Sequence, residues 1–108
     1  MVSISGTNIT MTRGDTLVLR IKMTKDGVEY TPGDGDSVRF AMKARYSDDE
    51  VVLEKNIPID TLVLEIEPGD TKNLDMRSSY VYDIQLTTVD GKVDTFIMGQ
   101  LNIDVEVK

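Results

Sequence analysis

The sequence predicts an all-β domain, an immunoglobulin-like antiparallel β-sandwich of roughly eight short strands. Three observations carry that expectation. Apolar residues recur with period two from Leu17 almost to the last residue. Turn chemistry separates the alternating runs at the short spacing of sandwich proteins. No stretch of useful length carries helical periodicity, so the crossover helices of a parallel sheet are missing and the strands are expected to pair mainly antiparallel. A jelly roll or small barrel is the second architecture that fits.

Leu17, Leu19, Ile21 and Met23 alternate with Val18, Arg20, Lys22 and Thr24, which predicts a strand with one buried face. Lys25-Asp26-Gly27 turns the chain into a short returning strand, Val28–Tyr30. Thr31–Asp36, with Pro32-Gly33-Asp34-Gly35 inside it, is a loop. Val38, Phe40, Met42 and Ala44 mark the inner face of the second strong strand, which Ser47-Asp48-Asp49-Glu50 interrupts. Weaker strands follow at Val51–Ile57 and over Leu62–Glu67.

Pro68–Leu74 is the only place where helix is expected, as a single short turn that Pro68 starts and Asp70 or Thr71 caps. Tyr80, Tyr82, Ile84 and Leu86 define another strand. Asp90-Gly91 predicts a hairpin into Val93–Met98. Gly99 is expected to mark a bulge or kink. Leu101, Ile103, Val105 and Val107 then alternate to the end. No repeat or linker divides the 108 residues, so the expectation is one domain over 1–108, either a complete small protein or a chain that ends at a domain boundary.

Twelve basic and nineteen acidic residues leave a net charge of −7. Such a surface repels phosphate backbones and anionic lipid, so neither nucleic acid nor membrane is an expected partner. No cationic start leads into an apolar block over residues 1–20, and no apolar run reaches the length of a span. Neither a signal peptide nor a transmembrane segment is expected. With no cysteine there is no disulfide or thiolate site, which leans towards a reducing cytoplasm.

Histidine is absent as well, which removes the usual general base, the soft metal ligands and the common nucleophile dyads together. The expectation is therefore no catalytic residue, no cofactor site and no metal ligand. Asp34, Asp36, Asp48, Asp49 and Glu50 sit in loops, where solvation is the ordinary state of an acid. Calcium is the alternative they leave open, through an adhesion or carbohydrate-binding module, and a hydrolytic carboxylate pair is a more distant one. Arg13-Gly14-Asp15 spells an integrin tripeptide but reads as a turn, with positive φ at Gly14 and Asp15 bonding to backbone. Tyr80 and Tyr82 read as core anchors whose hydroxyls find backbone partners, Tyr80 as a tyrosine corner.

An ordered set of segments resembles a known family. It begins with Ile9-Thr10-Met11-Thr12-Arg13-Gly14-Asp15-Thr16 and continues through Ser37-Val38-Arg39-Phe40-Ala41-Met42-Lys43. Glu67-Pro68-Gly69-Asp70-Thr71-Lys72-Asn73-Leu74 and Tyr80-Val81-Tyr82-Asp83-Ile84-Gln85-Leu86 follow. Asp90-Gly91-Lys92-Val93-Asp94-Thr95-Phe96-Ile97-Met98-Gly99-Gln100-Leu101 closes the set. In that order they look like a small β-sandwich module of phages and prophages of Gram-positive bacteria, similar to the N-terminal domain of the phage baseplate upper protein. The resemblance covers about residues 9–107. It implies an immunoglobulin-like fold and a non-enzymatic structural place in a virion tail or baseplate, assembled in the bacterial cytoplasm. Its implied partners are other tail proteins or copies of the same chain in a homo-oligomer, and it brings no catalytic residues. The terminal segments are the first place to look for an interface, because they can supply edge strands.

Overall fold

A computed structural model describes residues 2–5, 7–74 and 77–104. The chain order is β1 (Val2–Ser5), β2 (Asn8–Thr12), β3 (Leu17–Arg20), β4 (Thr24–Lys25), β5 (Val28–Glu29), β6 (Ser37–Lys43), β7 (Leu53–Ile57), β8 (Val63–Ile66), α1 (Pro68–Thr71), β9 (Arg77–Thr87) and β10 (Val93–Asp104). The fold is all-β. Six strands form one sheet in the order β1-β2-β10-β9-β6-β7, β3 and β8 form a two-stranded ribbon, and β4 and β5 form a small hairpin.

The alternating residues do what their period requires. Val38, Phe40 and Met42 on β6, Tyr82, Ile84 and Leu86 on β9, and Leu101 and Ile103 on β10 all point to one face and are buried. Leu17 on β3, Ile21 and Met23 just beyond it, and Leu64 and Ile66 on β8 close over that face, and all join one cluster. Each such side chain contributes about 1.5–3 kcal/mol by leaving water, so this shared core is what holds ribbon to sheet. Val105 and Val107 lie outside the described residues.

Turns match their residues. Asp26 and Gly27 both take positive φ (53° and 79°), the pair of left-handed residues that a two-residue hairpin needs. At the second hairpin the Gly91 N–H donates to the Thr88 carbonyl (2.9 Å) and the Thr88 N–H to the Lys92 carbonyl (2.8 Å), which fixes the β9–β10 register.

Pairing is mainly antiparallel, as expected, but β2 and β10 pair in parallel, Leu101 opposite Ile9 through Asp104 opposite Thr12. A parallel pair needs a long connection rather than a helix as such, and here the chain between the two strands supplies it. Ten strands stand among the described residues instead of about eight: β1, β2 and the two-residue β4 are additional, while Val93–Met98 and the run from Leu101 join in the single strand β10. The alternating run from Leu17 breaks after Arg20, and strand resumes at Thr24. Gly99 is neither bulge nor kink: it pairs in register with Tyr82, and the irregularities fall at 95/97 and 101/103. The reason for glycine is a close approach. A Cβ at Gly99 would run into the Thr7 carbonyl, whose carbon would lie 2.9 Å away.

The helical turn appears where expected, and Asp70 takes part in its cap while Thr71 does not. Glu67 is the N-cap, and its N–H donates to Asp70 Oδ2 (2.8 Å). The same oxygen takes the Lys55 ammonium from β7 at 2.9 Å. Burial pushes the Asp70 carboxyl up, but the Glu67 N–H and the Lys55 charge outweigh it and hold the group below its ordinary value of 3.8. A carboxyl depressed in the folded state stabilises above its unfolded value and loses that contribution as pH falls through the folded one. The stability gap between wild type and Asp70→Asn is therefore expected above about pH 4 and should vanish in stronger acid. Urea unfolding at a series of pH values checks it; a gap that widened in acid would contradict the assignment.

Candidate functional site

Asp34 and Asp36 lie before β6, and Asp48, Asp49 and Glu50 lie in the connection after it. Seven residues of strand separate the two groups by about 20 Å. They do not converge, and no three acidic groups gather as a metal site among the described residues. Asp36 has structural employment: its Oδ2 accepts from the Gly33 N–H (2.9 Å) and its Oδ1 from the Val89 N–H (3.1 Å). It thus ties the loop before β6 to the β9–β10 hairpin. Asp48 pairs with Arg45 at 3.4 Å.

Arg13-Gly14-Asp15 is a turn, with Gly14 at φ 88° and the Asp15 N–H donating to the Thr12 carbonyl (3.0 Å). Arg13 is not presented as a recognition site would need, because its Nη1 donates to the Leu74 carbonyl at 3.1 Å. The Gly14 N–H donates to Oγ1 of Thr71 (2.8 Å), a side chain only 1% exposed. Thr71 therefore does not cap α1; it pins the turn before β3 to the helical turn after β8. Thr71→Val keeps the shape and deletes the acceptor, leaving the Gly14 N–H unsatisfied at a cost of about 1–2 kcal/mol. A shift in the urea midpoint checks this, and Thr71→Ser should recover most of it.

Both tyrosines are buried in the core, each 4% exposed. The Tyr82 hydroxyl donates to the Thr7 carbonyl, reaching back 75 residues to the segment that leads into β2. Burial raises its pKa above the ordinary 10, with a smaller push from Tyr46. Tyr82, its cross-strand neighbour Gly99 and Thr7 thus form a three-part junction that seats β2 beside β10.

The outer face of the six-stranded sheet carries a polar network. Arg39 donates to Glu54 (3.0 Å) and to Gln85 (3.4 Å), and Gln85 donates to Asp83 (3.2 Å). A groove of about 250 Å³ lies beside it, lined by Arg39, Lys43, Tyr46, Val51 and Asp83 among others.

The ribbon side is different. A crevice of about 170 Å³ opens there, lined by Ile9, Leu19, Ile21, Leu64, Ile84 and Ile97 together with Thr7, Tyr82, Arg20 and Lys22. Its rim is β3. The Ile21 N–H donates to the Leu62 carbonyl (2.7 Å), and Leu17 through Arg20 keep the same antiparallel register with β8. Alternation then turns the backbone groups of Leu17, Leu19 and Ile21 to β8 and those of Val18 and Arg20 away from it. β3 has no second neighbour among the described residues. Val18 is 62% exposed on the outer surface of the ribbon, beside the exposed Arg20 and Lys22.

The terminal segments answer the interface expectation unequally. β1 is an edge of the six-stranded sheet, whereas β10 is interior, held between β2 and β9. Sequence reasoning named neither Arg20 nor Lys22 as a candidate; the only available signal was two cations on the polar side of an alternating run. No helix among the described residues is long and apolar enough to cross a membrane. No family model matches the chain, and no curated protein matches it.

Proposed function

We propose that this chain is a non-enzymatic assembly module, an immunoglobulin-like unit of a phage or prophage tail or baseplate that works by docking to another protein. The open edge of β3 above an apolar crevice is the observation that carries the docking half. Unpaired strand edges recruit neighbours, and soluble proteins ordinarily blunt or cover them. The ordered segments between Ile9 and Leu101 that resemble the baseplate upper protein support the tail half. The absence of histidine and cysteine from the sequence agrees with a structural role, since assembly needs neither.

The partners on this reading are other tail proteins or further copies of the chain, and the place is the virion after assembly in the host cytoplasm. Gold-labelled antibody against the chain, applied to particles released on induction of the strain that carries the gene, is expected to mark the tail. Unlabelled particles, or label confined to the cell surface, would overturn the reading.

A further inference from the structure

We propose that β3 is a strand acceptor whose occupant is an extended segment of a partner protein, with apolar residues alternating with acidic ones. The inference rests on the docking reading above and names the chemistry of the partner. Its first ground is the backbone. Val18 and Arg20 turn an N–H and a C=O each to the open side of β3, so an added strand finds four bonding positions at a fixed spacing. Addition would make the ribbon three-stranded and lay the new strand along the crevice.

The second ground is the crevice under that edge. Ile9, Leu19, Ile21, Ile84 and Ile97 line it, and its volume of about 170 Å³ compares with the roughly 150 Å³ apolar cavity that accepts a benzene. One aliphatic or aromatic side chain of the incoming strand fits there. Successive residues of a strand point to opposite faces, so the neighbours of that anchor lie on the outer surface.

The third ground is charge. Arg20 and Lys22 stand at the open edge and border the crevice, both exposed and without an ion-pair or hydrogen-bond partner among the described residues. Opposite charges facing each other across a strand pair are favourable and like charges are not. An incoming strand is therefore selected to be acidic where its anchors are not.

The probe is a blocked synthetic heptapeptide, Glu-Val-Glu-Ile-Glu-Val-Glu, titrated into the isotope-labelled full chain and followed by NMR. Saturable shifts centred on Val18–Lys22 and Ile97 are expected. Arg20→Pro removes an outward N–H, which an edge strand tolerates, and should weaken binding about tenfold. Reversing both charges (R20E with K22E) alters only exposed side chains, should leave the fold intact, and should weaken binding to a similar degree. Shifts centred on β1 or β7, unchanged affinity in both variants, or equal binding of the peptide with lysine in place of glutamate would overturn the proposal. Light scattering on the chain alone covers the remaining occupant: a dimer that Arg20→Pro returns to monomer would assign the edge to a second copy and overturn the partner assignment. Failure of the peptide with gold label on the tail removes only the strand acceptor; success of the peptide with bare particles removes only the tail.

Discussion

Phe40→Ala is expected to remove about 4 kcal/mol of stability, the largest single-residue loss in the molecule. Phe40 has no exposed surface, and its ring centroid lies 5.4 Å from that of Tyr82 at a 32° tilt. It sits in the middle of β6, opposite Ile84 on one side and Lys55 on the other, where the ribbon closes over the large sheet. Truncation leaves a cavity that sheet strands on both sides cannot collapse to fill, so the transfer and cavity terms add. Natural domains hold only about 5–15 kcal/mol in total, so the variant should unfold at a much lower urea concentration with an unchanged slope. Phe40→Leu retains most of the volume and should cost about 1–1.5 kcal/mol. Equal losses for the two variants would mean that Phe40 is not packed as described.

Gly99→Ala is the second large effect, about 3 kcal/mol, from one methyl group. A strand residue would ordinarily gain from that change, because alanine is less free than glycine in the unfolded chain. Here the added carbon meets the Thr7 carbonyl, with the carbonyl carbon at 2.9 Å and the threonine hydroxyl at 3.0 Å. Backbone must move, and the moving group is the acceptor of the Tyr82 hydroxyl. Overpacking of about 1–3 kcal/mol thus adds to a lost hydrogen bond of about 1 kcal/mol. Tyr82→Phe removes only the bond and should cost about 1 kcal/mol. In the double variant the two losses should fall short of additive, since both act through Thr7. A neutral or stabilising Gly99→Ala would show that Thr7 does not approach the strand.

The buried faces were legible in the residues because period two is a local signal. Val38, Phe40 and Met42, or Tyr82, Ile84 and Leu86, name their inner face without reference to anything distant. The same holds for Asp26-Gly27, whose positive φ values follow from the residue types. Pairing is a long-range property, and there the residues were silent. Nothing in Asn8–Thr12 or Val93–Asp104 announces a parallel contact, and nothing in Gly99 announces Thr7, which lies 92 positions earlier. The Lys55–Asp70 and Gly14–Thr71 contacts were hidden for the same reason. Arg20 on β3 and Lys22 just beyond it occupied the expected polar side of the run, but an edge is defined by a neighbour that is missing, which no alternation pattern records.

β3 is paired on one side only, beside the apolar crevice, and native-state hydrogen exchange of the isolated chain tests this residue by residue. Amides of Leu19 and Ile21, which face β8, should be protected, while those of Val18 and Arg20 between them should exchange orders of magnitude faster. That two-residue alternation is the expected result. Protection of Val18 and Arg20 equal to that of Leu19 would mean that the edge is already occupied, and would contradict the account.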